Sequence, residues 1–143
     1  MAETKPIRVL IADDFKLLRE VIRLYLERAT DIEVVDEAPD LDDALERTKT
    51  MRADVIIMND YLPPIDSAHA TARFREQGYR AAILIISMHL EPELIQRSFR
   101  NGANGFMNKD EIDEYLVDGV RRVHQGERYL SPKARDAYGS IQE

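Results

Sequence analysis

The chain has 143 residues, of which 27 are acidic and 20 basic, for a formal charge of −7, and 44% are hydrophobic. That is about one domain's worth of chain with enough apolar material for a core, so disorder by composition is excluded. The longest apolar run is the six residues 81–86, far below the roughly 18 needed to cross a bilayer, so no membrane partner is expected. Met1-Ala2-Glu3-Thr4-Lys5-Pro6 lacks the pattern of a secretory signal and there is no cysteine, which points to a reducing, cytoplasmic compartment. An acidic chain whose sole adjacent basic pair is Arg121-Arg122 is not expected to bind nucleic acid directly.

Short β-branched runs alternate with helix-spaced stretches five times over. A first strand at 7–12 leads into a helix at about 15–29, whose Leu18, Ile22, Tyr25, Leu26 and Ala29 make the stripe of a helix laid on a sheet. The second strand, 32–38, carries Glu33, Asp36 and Glu37 and reads as an edge. The helix after it repeats the stripe at Leu41, Ala44, Leu45, Thr48 and Met51, with Asp40 placed to cap it. A third strand, 54–58, precedes a helix at about 67–77 that stops at Gly78. A fourth, 81–86, precedes a helix that opens at Glu91-Pro92-Glu93 and ends at Asn101-Gly102. After a fifth strand at 104–107, the last helix has Ile112, Leu116, Val120 and Val123 on its inward face. Acids sit near its start and Arg121, Arg122 and His124 near its end, an order that complements the helix dipole.

Strict alternation means parallel strands joined by right-handed crossovers. The first, third and fourth strands are continuously apolar over residues 9–12, 55–58 and 83–86, as strands buried on both faces should be. The expected fold is therefore a doubly wound α/β domain, a five-stranded parallel sheet of order 2-1-3-4-5 with helices on both faces. It takes in residues 6–126, and residues 127–143 show no core stripe and read as a tail.

In such a sheet ligands bind off the carboxyl ends of the strands. The residues there are Asp13-Asp14, Asn59-Asp60, Ser87 and Asn108-Lys109. Each has a plainer reading alone: Asp14 or Ser87 as a helix cap, Lys109 as an exposed lysine. Together they offer two acids for a hard cation, with a hydroxyl and an ammonium for a phosphoryl oxygen. The centre of such a site calls for an aspartate nucleophile, and the residue there is Asn59. No G-x-G-x-x-G follows the first strand, residues 101–105 lack the lysine of a P-loop, and His69, His89 and His124 fall at no metal-ligand spacing. Paired acids also suit a metal-dependent phosphohydrolase with Asp13 as nucleophile, but no segment is long enough to cap a substrate pocket, and no enzyme activity is expected.

At these residues the chain resembles the receiver domain of bacterial two-component response regulators, in the NarL/FixJ (LuxR-type) class. The matching segments are VLIADD (9–14), DVIIMND with YLPPID (54–66), ILIISMH (83–89), NGANGFMNKD (101–110) and HQGERYLSP (124–132), over roughly residues 6–132. The resemblance implies a flavodoxin-like phosphorelay receiver, with a sensor histidine kinase donating phosphoryl to an aspartate beside Mg²⁺. It implies that Asp13 and Asp14 are the metal-side acids, with the residue at position 59 and the Tyr61 backbone carbonyl. Ser87 would be the switch hydroxyl, Lys109 the phosphoryl-binding lysine and Phe106 the rotamer-switching aromatic. The fourth helix, fifth strand and fifth helix would form the output face, and the first and fifth helices a homodimer contact.

Counting back from Pro63, the phosphoacceptor position is Asn59. An amide is a poor nucleophile, and its neutrality should weaken Mg²⁺ binding. Asp60, one place late, would substitute only if the strand end rotated, because successive strand side chains point to opposite faces. Two origins fit: an engineered Asp-to-Asn trap, or a natural receiver that has abandoned phosphorylation and acts as a protein-interaction or ligand-sensing module. Pro64 and Ser67 stand where the family often has glycine and should stiffen the adjoining loop. Members of the class usually continue into a helix-turn-helix domain, for which Lys133 to Glu143 is too little. Either the chain is a stand-alone receiver with 127–143 as its tail, or residues 127–143 start a linker to the output domain of a longer transcriptional regulator.

Overall fold

In the computed structural model, which describes residues 5–142 and side chains through residue 139, the apolar runs become strands within one residue of their expected bounds. Residues 1–4, read above for a secretory signal, and Glu143 at the end of the expected tail lie outside the described residues. The order is β1 (Ile7–Ala12), α1 (Lys16–Glu27), β2 (Ile32–Ala38), α2 (Leu41–Met51), β3 (Val55–Asn59), and the two-residue strands β4 (Tyr61–Leu62) and β5 (Ile65–Asp66). It continues with α3 (Ser67–Glu76), β6 (Ala82–Ser87), α4 (Pro92–Arg100), β7 (Gly105–Asn108), a 3-10 turn (Lys109–Glu111), α5 (Ile112–His124), β8 (Tyr129–Leu130) and α6 (Pro132–Gln142). No helix among the described residues is long and apolar enough to cross a membrane.

The main sheet runs β2-β1-β3-β6-β7-β8, with every neighbouring pair parallel. Its first five strands are the expected 2-1-3-4-5 order. Alternate residues of one strand supply opposite cores, as a pleated strand requires. Val9, Ile11, Ile57 and Leu84 pack with Ile22 and Leu26 of α1 and Leu116 and Val120 of α5. Leu10, Ile56, Ile83 and Ile85 pack on the other face with Leu41 of α2, Phe74 of α3, Ile95 of α4 and Phe106. Asp40 caps α2 by accepting the Asp43 N–H at 2.9 Å. Gly102 closes α4 at φ +106°, where an added Cβ would also lie 2.8 Å from Cγ of Arg75.

The sheet has six strands rather than five, because residues expected to be tail join it. Tyr129 pairs with Gly105 and Leu130 with Phe106. The stripe missed after Gly126 is real: Tyr129, Ala134 and Tyr138 are buried. The Tyr138 ring meets Phe99 of α4 edge-on at 5.7 Å, and the Arg128 guanidinium lies 4.0 Å over the Phe99 ring while donating to the Tyr138 hydroxyl at 2.8 Å. A two-residue strand cannot show a period, which is why its pairing was invisible in the sequence.

Candidate functional site

Parallel register brings four distant segments to one edge. Ala12 lies beside Met58, Asn59 beside Ile86 and Ser87 beside Asn108. Asp13, Asn59-Asp60, Ser87 and Lys109 therefore emerge from adjacent strand ends, at the place where an open α/β sheet binds ligands. Asp13 is buried and its Oδ1 accepts the Phe15 N–H at 2.8 Å. Burial pushes its carboxyl up to about 6; the Phe15 N–H and the Lys109 charge work against that rise, and Asp14 adds to it. Lys109 is partly buried, and its ammonium is near enough to Asp13 for their charges to interact. Asp14 is exposed and does not cap α1, whose N-cap is Phe15 with no side-chain cap.

A clamp that the sequence did not reveal holds the β1 end. Arg19 donates to the Asp13 carbonyl at 2.6 Å and, through Nε, to Glu37 at 2.9 Å. Arg23 donates to the other Glu37 oxygen at 2.8 Å. Burial raises the Glu37 carboxyl, but Arg23 and Arg19 together outweigh it and hold the group below its ordinary value. The i, i+4 spacing of Arg19 and Arg23, facing the acidic β2 edge, was the available signal.

Asn59 donates its Nδ2 to the Tyr61 carbonyl at 3.3 Å, and its Oδ1 is buried without a hydrogen-bond partner. Asp60 does not point away from the site as strand alternation implies. Strand β3 stops at Asn59, so the rule lapses one residue later, and the Ser67 N–H on the Asp60 carbonyl at 2.8 Å pins the turn. The Asp60 Oδ2 accepts the Ser87 hydroxyl at 2.7 Å. Ser87 is fully buried, and its Oγ accepts the His89 N–H at 2.9 Å and lies 2.9 Å from the His89 carbonyl. It is not the cap of α4, whose N-cap residue is Glu91. Phe106 is fully buried in the core, between Ile85 and Leu130 in the sheet.

The side-chain oxygens of Asp13, Asp14 and Asn59 and the Tyr61 carbonyl are all oxygen donors, the type a hard divalent cation takes. The buried, unbonded Asn59 Oδ1 is an oxygen short of a partner, so these residues fit such an ion with one charge fewer than three acids would give. Among the described residues no cluster of three or more acidic, histidine or cysteine side chains could hold a metal. His69 lies elsewhere, paired with the α3 cap Asp66 at 2.8 Å.

A family model for the response regulator receiver domain matches residues 9–121. The chain is similar to the oxygen regulatory protein NreC of Staphylococcus carnosus, 35% identical over 127 residues that cover 88% of this chain and 58% of that protein. It is also similar to the response regulator UvrY of Escherichia coli, 32% identical over 125 residues covering 87% and 57%. A LuxR-family two-component response regulator from Aurantimonas superposes with a TM-score of 0.91 at 28% identity, covering 96% of this chain and 99% of that one. The NarL signal receiver domain from Mycobacterium tuberculosis gives 0.74 at 32% identity, covering 82% and 98%. The chain thus spans less than three fifths of the length of these curated relatives.

Proposed function

The chain belongs to the response regulator receiver family, in its NarL/LuxR class, and from that premise we propose that it is a signal receiver whose acceptor position is chemically silent. The observation that carries the proposal is Asn59 at the tip of β3, with its amide nitrogen on the Tyr61 carbonyl. An amide nitrogen lends its lone pair to its own carbonyl, and neither amide atom attacks phosphorus as a carboxylate does. Asp13, Asp14, the Asn59 Oδ1 and the Tyr61 carbonyl would hold Mg²⁺. When bound, that ion supplies charge neutralisation for phosphoryl oxygens. Ser87 and Lys109 would take the remaining phosphoryl oxygens, and Phe106 would follow the Ser87 movement. The partners in this reading are a sensor histidine kinase, a second copy of the chain, and the DNA-binding output domain of a longer, cytoplasmic regulator. The chain itself neither turns over a substrate nor touches DNA.

The test is incubation with a small acyl phosphate and Mg²⁺ followed by intact mass. No gain is expected here, and a gain of one phosphoryl is expected after Asn59→Asp. A gain in the chain as it stands that disappears with Asp60→Asn would overturn the proposal. The second reading, a phosphorylation-independent interaction or ligand-sensing module, is favoured by one contact, the Ser87 hydroxyl on the Asp60 carboxylate.

A further inference from the structure

We propose that the Asp60 carboxylate fills the Ser87 subsite as a resident substitute for a phosphoryl oxygen, and so holds the corner between β6 and α4 in one conformation without phosphorylation. The inference rests on the receiver reading and deepens it. Ser87 has one proton and two acceptors within reach, the Asp60 Oδ2 at 2.7 Å and the His89 carbonyl at 2.9 Å. The shorter contact is to the carboxylate, and hydroxyl-to-carboxylate bonds are shorter and about twice as strong as neutral ones. With its proton on Asp60, the Ser87 Oγ keeps its lone pairs for the His89 N–H at 2.9 Å. A chain of two hydrogen bonds then runs from the end of β3, through Ser87, to the loop that opens α4 at Pro92.

Two neighbouring groups also interact internally. The Lys109 charge faces Asp13, and the Asn59 amide nitrogen takes the Tyr61 carbonyl. Asp60 also returns to this sheet edge the negative charge that position 59 lacks. A hydroxyl that would otherwise wait for a phosphoryl group is engaged from the start, so the two-state equilibrium of the corner is biased by the chain's own sequence.

The test is amide hydrogen exchange across residues 88–91 in the intact chain and in Asp60→Ala, Ser87→Ala and the double variant. Asp60→Ala should speed exchange at His89 about tenfold, the size expected for loss of one hydrogen bond to a charged group. The double variant should exchange no faster than Ser87→Ala, because both changes break one chain of bonds. Asp60→Asn, which keeps an acceptor oxygen but not the charge, should fall between the native chain and Asp60→Ala. Unchanged His89 exchange in Asp60→Ala, or a double variant showing the full sum of the single effects, would overturn the inference while leaving Asn59 silent. Intact mass after acyl phosphate on the same samples separates the other failure: phosphoryl gained by the native chain and lost with Asp60→Ala would overturn both this inference and the reading of position 59.

Discussion

Asp13 holds a carboxyl that burial has pushed up to about 6 from an ordinary 3.8, and the sign of that rise has a consequence for folding. Between those values the folded chain binds more protons at this residue than the unfolded chain, so the Asp13 contribution to stability is fully present below about pH 4 and is lost as pH climbs past about 6. Asp13→Asn should therefore stabilise the metal-free protein at about pH 8, by up to roughly 3 kcal/mol, and have little effect near pH 4. Thermal melts of the two proteins at both pH values check this, and equal differences at the two would contradict it. Asn59→Asp should tighten Mg²⁺ about tenfold by restoring a third charge; calorimetric titration reads it, and weaker binding in that variant would contradict the electrostatic argument. Asp13, Asn59, Ser87 and Lys109 could be found in the sequence because each directly follows or ends a strand, where topology dictates proximity. Asp60 was misplaced because alternation was carried one residue past the end of β3, where a turn sets the side-chain direction. The Arg19–Glu37 clamp joins α1 to β2 and to the residue after β1, and no local pattern announces a bond to the Asp13 carbonyl.

Among the elements, the five longer strands were legible because each is a short β-branched or apolar run, the charged β2 edge included, bounded by caps and breakers that act locally, as Asp40 and Gly102 do. The C-terminal elements were not, because β8 and α6 owe their place to long-range contacts. Tyr129 lies against Gly119 of α5, where an added Cβ would come within 3.0 Å of its ring, and Tyr138 reaches Phe99 and Arg128. Such packing is readable only after β7 and α4 are in position. Tyr138 is 7% exposed, and truncating a buried aromatic removes both transfer energy and ring contacts. Tyr138→Ala should cost about 2–4 kcal/mol in a denaturant titration, with the slope unchanged if unfolding stays two-state. A loss within experimental error would mean that α6 rests on the domain without belonging to it. The same logic gives Gly105→Ala a loss of about 1–3 kcal/mol, because its Cβ would lie 2.9 Å from both Leu84 and Val123.

At the scale of the whole molecule, α4 is one element that joins the strand-tip edge of the parallel sheet to α6. The strand tips carry Asp60 and Ser87; α4 starts three residues beyond His89 and ends against α6, through Phe99 on the Tyr138 ring. Helix α6 is also the last described element. If the α4 position is what Asp60 biases, the tip and α6 are coupled, and coupling between two sites must run equally in both directions. Asp60→Ala should then raise exchange in α6 as well as at His89, and Tyr138→Ala should raise exchange at His89 from the opposite end, while α2, which lies off this route, loses no more protection than the measured drop in global stability accounts for. A tenfold effect at one end would correspond to about 1.4 kcal/mol of coupling, within the usual range for sites in one domain. Exchange in α2 rising as much as in α6 would mean that each variant only lowers global stability, and an effect in one direction without the other would remove α4 as the shared element.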